Sequence, residues 1–208
     1  MAMRRLLGLS AALLALAAPG VSLAAEGGNT VKSAVERRVE GGELRGCGVT
    51  FTVISADPFH GKGQLMVIGG RLEVFLTDSR ELGVLLMPGL GFTGAPEAIQ
   101  SPALAYLVAD SKANDAEVFK VMPGAPGRMI FTYRLGPVTT RAVDDLARTG
   151  TFIFGFSMKD PPDSLNAAVV DIRVKDSGVM GGKAQSDAEA PARFGACVNE
   201  IRALAKPA

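Results

Sequence analysis

The chain has no tryptophan, a single histidine and only two cysteines in 208 residues. Each scarcity removes a class of chemistry. His60, Cys47 and Cys197 are too few nitrogen and sulfur ligands for a zinc site. Met66, Met87, Met122, Met129, Met158 and Met180 are scattered and form no soft cluster for copper. No metal and no cofactor is therefore expected. Cys-x-x-Cys is missing, which removes thioredoxin-type exchange. With aromatics at 6%, the broad rings on which sugars stack are in short supply. Lysine and arginine total 22 against 21 acids, with no basic run. Nucleic acid is excluded as a partner, because phosphate binding needs a positive footprint.

Long apolar runs are also missing, with one exception near the start. Arg4 and Arg5 precede an apolar stretch from Leu6 to Ala18, broken by Pro19-Gly20 and followed by Ser22-Leu23-Ala24. That order of charge, apolar core and small residues reads as a secretory signal peptide, residues 1–24, cleaved after Ala24. The run falls short of the roughly 20 residues that a spanning helix needs. Ala25, not cysteine, follows the cleavage point, so no lipid anchor is expected. Loss of Arg4 and Arg5 brings the charge close to balance. The expected product, residues 25–208, is a single β-rich domain, periplasmic or secreted, with no membrane span. Its length suffices for a hydrophobic core of its own.

Along that chain, Val31, Ala34, Val35 and Val39 recur at helical spacing before Gly41-Gly42, which predicts a short helix with a strand as the alternative. From Cys47 the period is two: Val49, Phe51 and Val53 alternate with Thr50 and Thr52 in a half-buried strand. Gly69-Gly70 between two apolar runs predicts a hairpin. A short strand then ends at Pro88-Gly89, and residues 88–102, rich in glycine and proline, read as a long surface loop. Further strands are expected at 103–110, 117–122, 128–135, 151–158 and 165–174. Val138, Ala142, Val143 and Leu146 mark a helix that stops at Gly150. Phe194, Cys197, Val198, Ile201 and Leu204 stripe one face of a C-terminal helix. About eight strands with one clear terminal helix and one or two more predict a mainly β (α+β) fold. An antiparallel sandwich or curved sheet, with the helices packed on it, is the expected form.

In an oxidising compartment two cysteines near apolar segments read as a structural disulfide, Cys47 to Cys197. Catalytic options are thin. His60 in a turn with Asp57 three residues away is the weak candidate for a general base and its partner. No nucleophile motif accompanies it, since Gly155-Phe156-Ser157-Met158-Lys159 lacks the closing glycine. Paired carboxylates for glycoside chemistry would have to come from Asp144-Asp145, Asp160 with Asp163, or Glu97. A solvated helix face and turn hydrogen bonding explain the first two pairs. Residues 178–183, GVMGGK, fail the phosphate-loop spacing, with Ala184 where a hydroxyl is needed.

The expectation is an exported periplasmic protein without catalytic machinery, a binding or accessory module of the cell envelope with a protein or small-molecule partner. A small hydrolase using His60, and a protein adaptor working through 88–102, are the alternatives.

Overall fold

A computed structural model describes residues 29–57, 64–92, 95–124, 128–159, 166–179 and 181–206, with backbone only at 95–98. The signal-peptide residues 1–24, His60, Met180, residues 125–127 and residues 160–165, with Asp160 and Asp163, lie outside the described residues.

Residues Asn29–Glu40 form a strand, β1, and not the expected helix. Val31 and Val35 are four apart, a spacing that suits one helical turn but is also even, so both lean to one side of a strand. Gly41 and Gly42 decide the matter. Both adopt positive φ, 58° and 84°, and turn the chain in a two-residue hairpin that pairs Glu40 with Glu43 at the start of β2, Glu43–Ala56.

The next correction is at Gly69-Gly70, where no hairpin occurs. Leu65–Leu76 runs unbroken as β3, paired to β2 on one side and to β4, Leu82–Phe92, on the other. The glycine at 70 is required for space: a Cβ there would lie 2.6 Å from the Phe51 ring and 3.0 Å from the Met87 carbonyl oxygen.

The expected loop at 88–102 is also largely strand. β4 continues through Pro88 to Phe92, and β5, Ala95–Gln100, folds back on it. Proline cannot donate to a ladder. Here it sits where the edge of β4 changes partner, between the 83–86 stretch that pairs with β9 and the 90–92 stretch that pairs with β5.

The remaining elements are β6 (Leu104–Ala109), β7 (Lys112–Ala113), β8 (Val118–Pro123), β9 (Met129–Arg134), α1 (Pro137–Thr149), β10 (Thr151–Ser157), β11 (Asn166–Asp171), β12 (Val174–Asp176), β13 (Gln185–Ser186) and α2 (Ala190–Leu204). The strands make two open, antiparallel sheets. Sheet A has nine strands in the order β13-β12-β1-β2-β3-β4-β9-β8 with β5 added to β4; sheet B has four, β11-β10-β6-β7. The excess over about eight strands comes mainly from short pieces such as β7, β12 and β13.

The segment 165–174, expected as one strand, bends at Ile172-Arg173 and passes from sheet B into sheet A. Ser33 holds this corner, its hydroxyl donating to the carbonyls of Ile172 and Val174 at 3.0 and 2.9 Å. Asp171 accepts from the Arg173 amide and guanidinium, and those bonds hold its carboxyl below the ordinary aspartate range despite partial burial. A carboxylate whose pKa falls on folding stabilises the fold above its unfolded pKa, about 3.9, and loses that contribution as pH drops through the lower folded value. Asp171→Asn should therefore flatten the acid limb of a Tm-against-pH curve below about pH 4 and leave its shape near neutrality unchanged.

Between the sheets, Phe51 meets Phe152 and Phe154 at ring distances of 5.5 and 5.6 Å. The buried Tyr133 hydroxyl crosses the layer to donate to the Ala105 carbonyl at 2.8 Å. α1 ends at Gly150, which takes the left-handed conformation as expected. Its first turn is capped by Glu117, whose carboxylate accepts from the Val138 and Thr139 amides. On α2, Phe194, Cys197, Val198 and Ile201 are buried, whereas Leu204, expected on the same stripe, is 37% exposed at the fraying end. Cys47 and Cys197 are bonded across the core, their Cα atoms 5.8 Å apart.

Candidate functional site

The inner face of sheet A packs on sheet B and α2, and α1 packs on sheet B and α2. Its outer face is covered by no described element, and two different surfaces share it.

Over β1–β3 the outer face is a closed ion-pair network. Register places Glu36 and Glu73 on either side of Gly48, and Arg38 beside Gly46. Glu73 is only 3% exposed. Its two carboxylate oxygens accept from Arg38 Nε at 2.7 Å and Arg71 Nε at 2.8 Å. Arg71 also reaches Glu36 at 2.8 Å, Arg38 pairs with Glu40, and the Thr50 hydroxyl donates to Glu36. Burial opposes the charge on Arg38, but Glu73 and Glu40 outweigh it and hold the guanidinium pKa above its usual value. Glycine at 46 lets Glu73 lie flat on the sheet, because a Cβ there would fall 1.8 Å from Glu73 Oε1. Glu36, Arg38, Glu40, Arg71 and Glu73 are all partnered within this network, so it offers little to a ligand.

Towards β8 the surface changes. A cleft of about 630 Å³ opens over β3, β4, β9 and β8, with Phe75 and Phe119 among its walls. The Phe75 ring lies directly over Gly83, 2.6 Å from where a Cβ would stand. Phe119 is 61% exposed, and the Arg134 guanidinium sits 5.2 Å from its ring centre, a cation–π contact. A β-bulge between Val118 and Lys120 brings neighbouring Phe119 and Lys120 both to the cleft. Arg128 lies across Gly89 on the same outer face. None of Lys120, Arg128 and Arg134 has an ion-pair partner among the described residues. Glu81, the one acid among the described lining residues, forms no salt bridge to any of them. Tyr133, at the floor, is pushed well above the ordinary phenol range by burial, and then by the neighbouring Tyr106. At neutral pH it is a fixed donor, not an acid–base group.

The residues singled out from sequence are placed elsewhere. Asp57 is buried at the end of β2, its amide donating to the Gln64 carbonyl at 3.0 Å; His60 lies outside the described residues. Asp145 is held by Arg141 and Arg148, and Asp144 by Arg202. Those contacts make them surface ion pairs of α1. Cys47 and Cys197 are consumed by their bond. Among the described residues no group of three histidine, cysteine, aspartate or glutamate side chains could hold a metal ion. The charges over β1–β3 were not singled out from sequence, although Glu36 and Arg38 have the parity of one strand face. Reading β1 as a strand would have revealed them.

Comparison with protein-family models, with curated protein sequences and with solved structures yields no match.

Proposed function

We propose that the protein is an exported, periplasmic binding or accessory module of the cell envelope with no catalytic machinery of its own. The observation that carries this reading is the contrast on the outer face of sheet A. Over β1–β3 the charges of Glu36, Arg38, Glu40, Arg71 and Glu73 are paired with one another, while the β8 end combines an open cleft, exposed aromatic surface and three cations with no acid partner among the described residues. Exposed apolar surface rimmed by polar groups is a mark of interaction sites. The buried disulfide fits an oxidising compartment. No described helix is long and apolar enough to cross a membrane. The segment 88–102, proposed from sequence as an adaptor loop, adjoins the same face, with Ile99 half-exposed on β5.

Cell fractionation and N-terminal sequencing test the export half of this reading. The expected result is a periplasmic product that begins at Ala25. A panel of ester, peptide and glycoside substrates tests the other half. Turnover that disappears in His60→Ala would establish the hydrolase alternative and overturn the binding-module reading.

A further inference from the structure

We infer that β8 is an acceptor strand for an extended acidic polypeptide segment, which joins sheet A at its open edge. This rests on the binding-module reading above and names the class of partner. β8 pairs with β9 on one side and with no strand among the described residues on the other. An unpaired strand edge presents a row of backbone donors and acceptors at a fixed repeat, and a second polypeptide strand is the ligand whose backbone matches that row. β8 has six residues, about 20 Å of ladder at strand rise.

The side chains along the edge specify the guest. Phe119 is 61% and Val121 43% exposed, and the bulge puts them on opposite faces of β8, so both faces of an added strand meet apolar surface. Lys120 and Arg134 stand on the outer face with no acid partner among the described residues, and Arg134 is held over the Phe119 ring. A guest with aspartate or glutamate at alternate positions would supply the missing counter-charges. Its intervening apolar side chains would point to the opposite face, where Val121 is exposed beside the core residue Phe131. A second copy of this chain fits poorly, because edge-to-edge pairing would bring two sets of Lys120 and Arg134 together, and like charges across strands destabilise pairing. Lysine on an edge is a device that discourages self-association. Here it discourages a copy and attracts an acidic guest.

The test uses the purified, disulfide-intact protein and three capped seven-residue peptides in low-salt buffer, followed by amide NMR. The first peptide alternates aspartate with valine, the second replaces aspartate by lysine, and the third is the aspartate peptide N-methylated at alternate residues. The aspartate peptide is expected to shift amides of β8, residues 118–123. The lysine and N-methylated peptides should both bind about tenfold more weakly or worse. Lys120→Glu with Arg134→Glu, two exposed positions, should reverse the charge preference while leaving the spectrum of the core unchanged.

Equal binding of the lysine peptide removes the charge argument, and equal binding of the N-methylated peptide removes strand addition. Either result overturns the proposal. So does the absence of any shift, or concentration-dependent dimerisation that protects β8. Shifts confined to another surface overturn the β8 assignment but leave the binding-module reading standing, whereas hydrolysis abolished by His60→Ala overturns that reading instead.

Discussion

Replacing both cysteines, Cys47→Ala with Cys197→Ala, should lower the unfolding free energy by about 5 kcal/mol, read from urea melts. The bond joins residues 150 apart in sequence, and the unfolded chain without it recovers the freedom of that whole loop. Net stabilities of ordinary domains are about 5–15 kcal/mol, so the variant should sit near its folding threshold at room temperature. Both sulfurs belong to residues with 0% exposure. A reductant should therefore act only on opened molecules, and the rate of thiol appearance should climb with urea in step with unfolding. A double variant that loses less than about 1 kcal/mol, or a native protein reduced at a urea-independent rate, would contradict this account.

The second large effect is expected on the outer face. Glu73→Ala removes the one carboxylate shared by Arg38 and Arg71. Breaking a buried pair from one side costs about 3–5 kcal/mol. Here the two arginines keep some water, at 33% and 25% side-chain exposure, which brings the expected loss down to about 2–3 kcal/mol. Gly46→Ala should reproduce much of it, because the new methyl takes the position of Glu73 Oε1. The two changes should not add. With Glu73 already gone the alanine at 46 has room, and a double-mutant cycle should show a coupling of about 1–2 kcal/mol. Additive losses would mean that Gly46 is required for a reason other than the carboxylate beside it.

Both sites illustrate what was legible in the chain. The disulfide could be read because compartment and an even cysteine count constrain it, and β2, β6, β8–β10 and the two helices could be read because their periods are unambiguous. β1 could not, since Val31 and Val35 satisfy a helix turn and a strand face equally, and only the pairing with β2 separates the two. Gly69-Gly70 shows a second limit. Glycine serves a turn through its backbone freedom and a packed strand through its missing Cβ, and the two uses look identical until Phe51 is seen resting on Gly70. The bend at Ile172 was hidden for a related reason: Val170 and Ile172 are both buried, so alternation continues through the change of sheet. The β8 cleft was beyond local patterns altogether. It gathers Phe75 from β3, Gly83 from β4, Phe119 from β8 and Arg134 from β9, and its position depends on the strand order at one end of sheet A.

The Cys47–Cys197 bond also changes how the molecule would bear a load. A pull applied at its two ends travels along β1 into β2, crosses from Cys47 to Cys197, and leaves through the last turns of α2. The residues between the two cysteines lie on a bypassed circuit and carry none of the tension. An unfolding motor that draws on either end could strip β1 from its neighbours, yet would have to feed two strands abreast to go further. Resistance to extraction is thus concentrated in β1, the first part of β2 and the end of α2, and most of the sandwich lies outside the path of force.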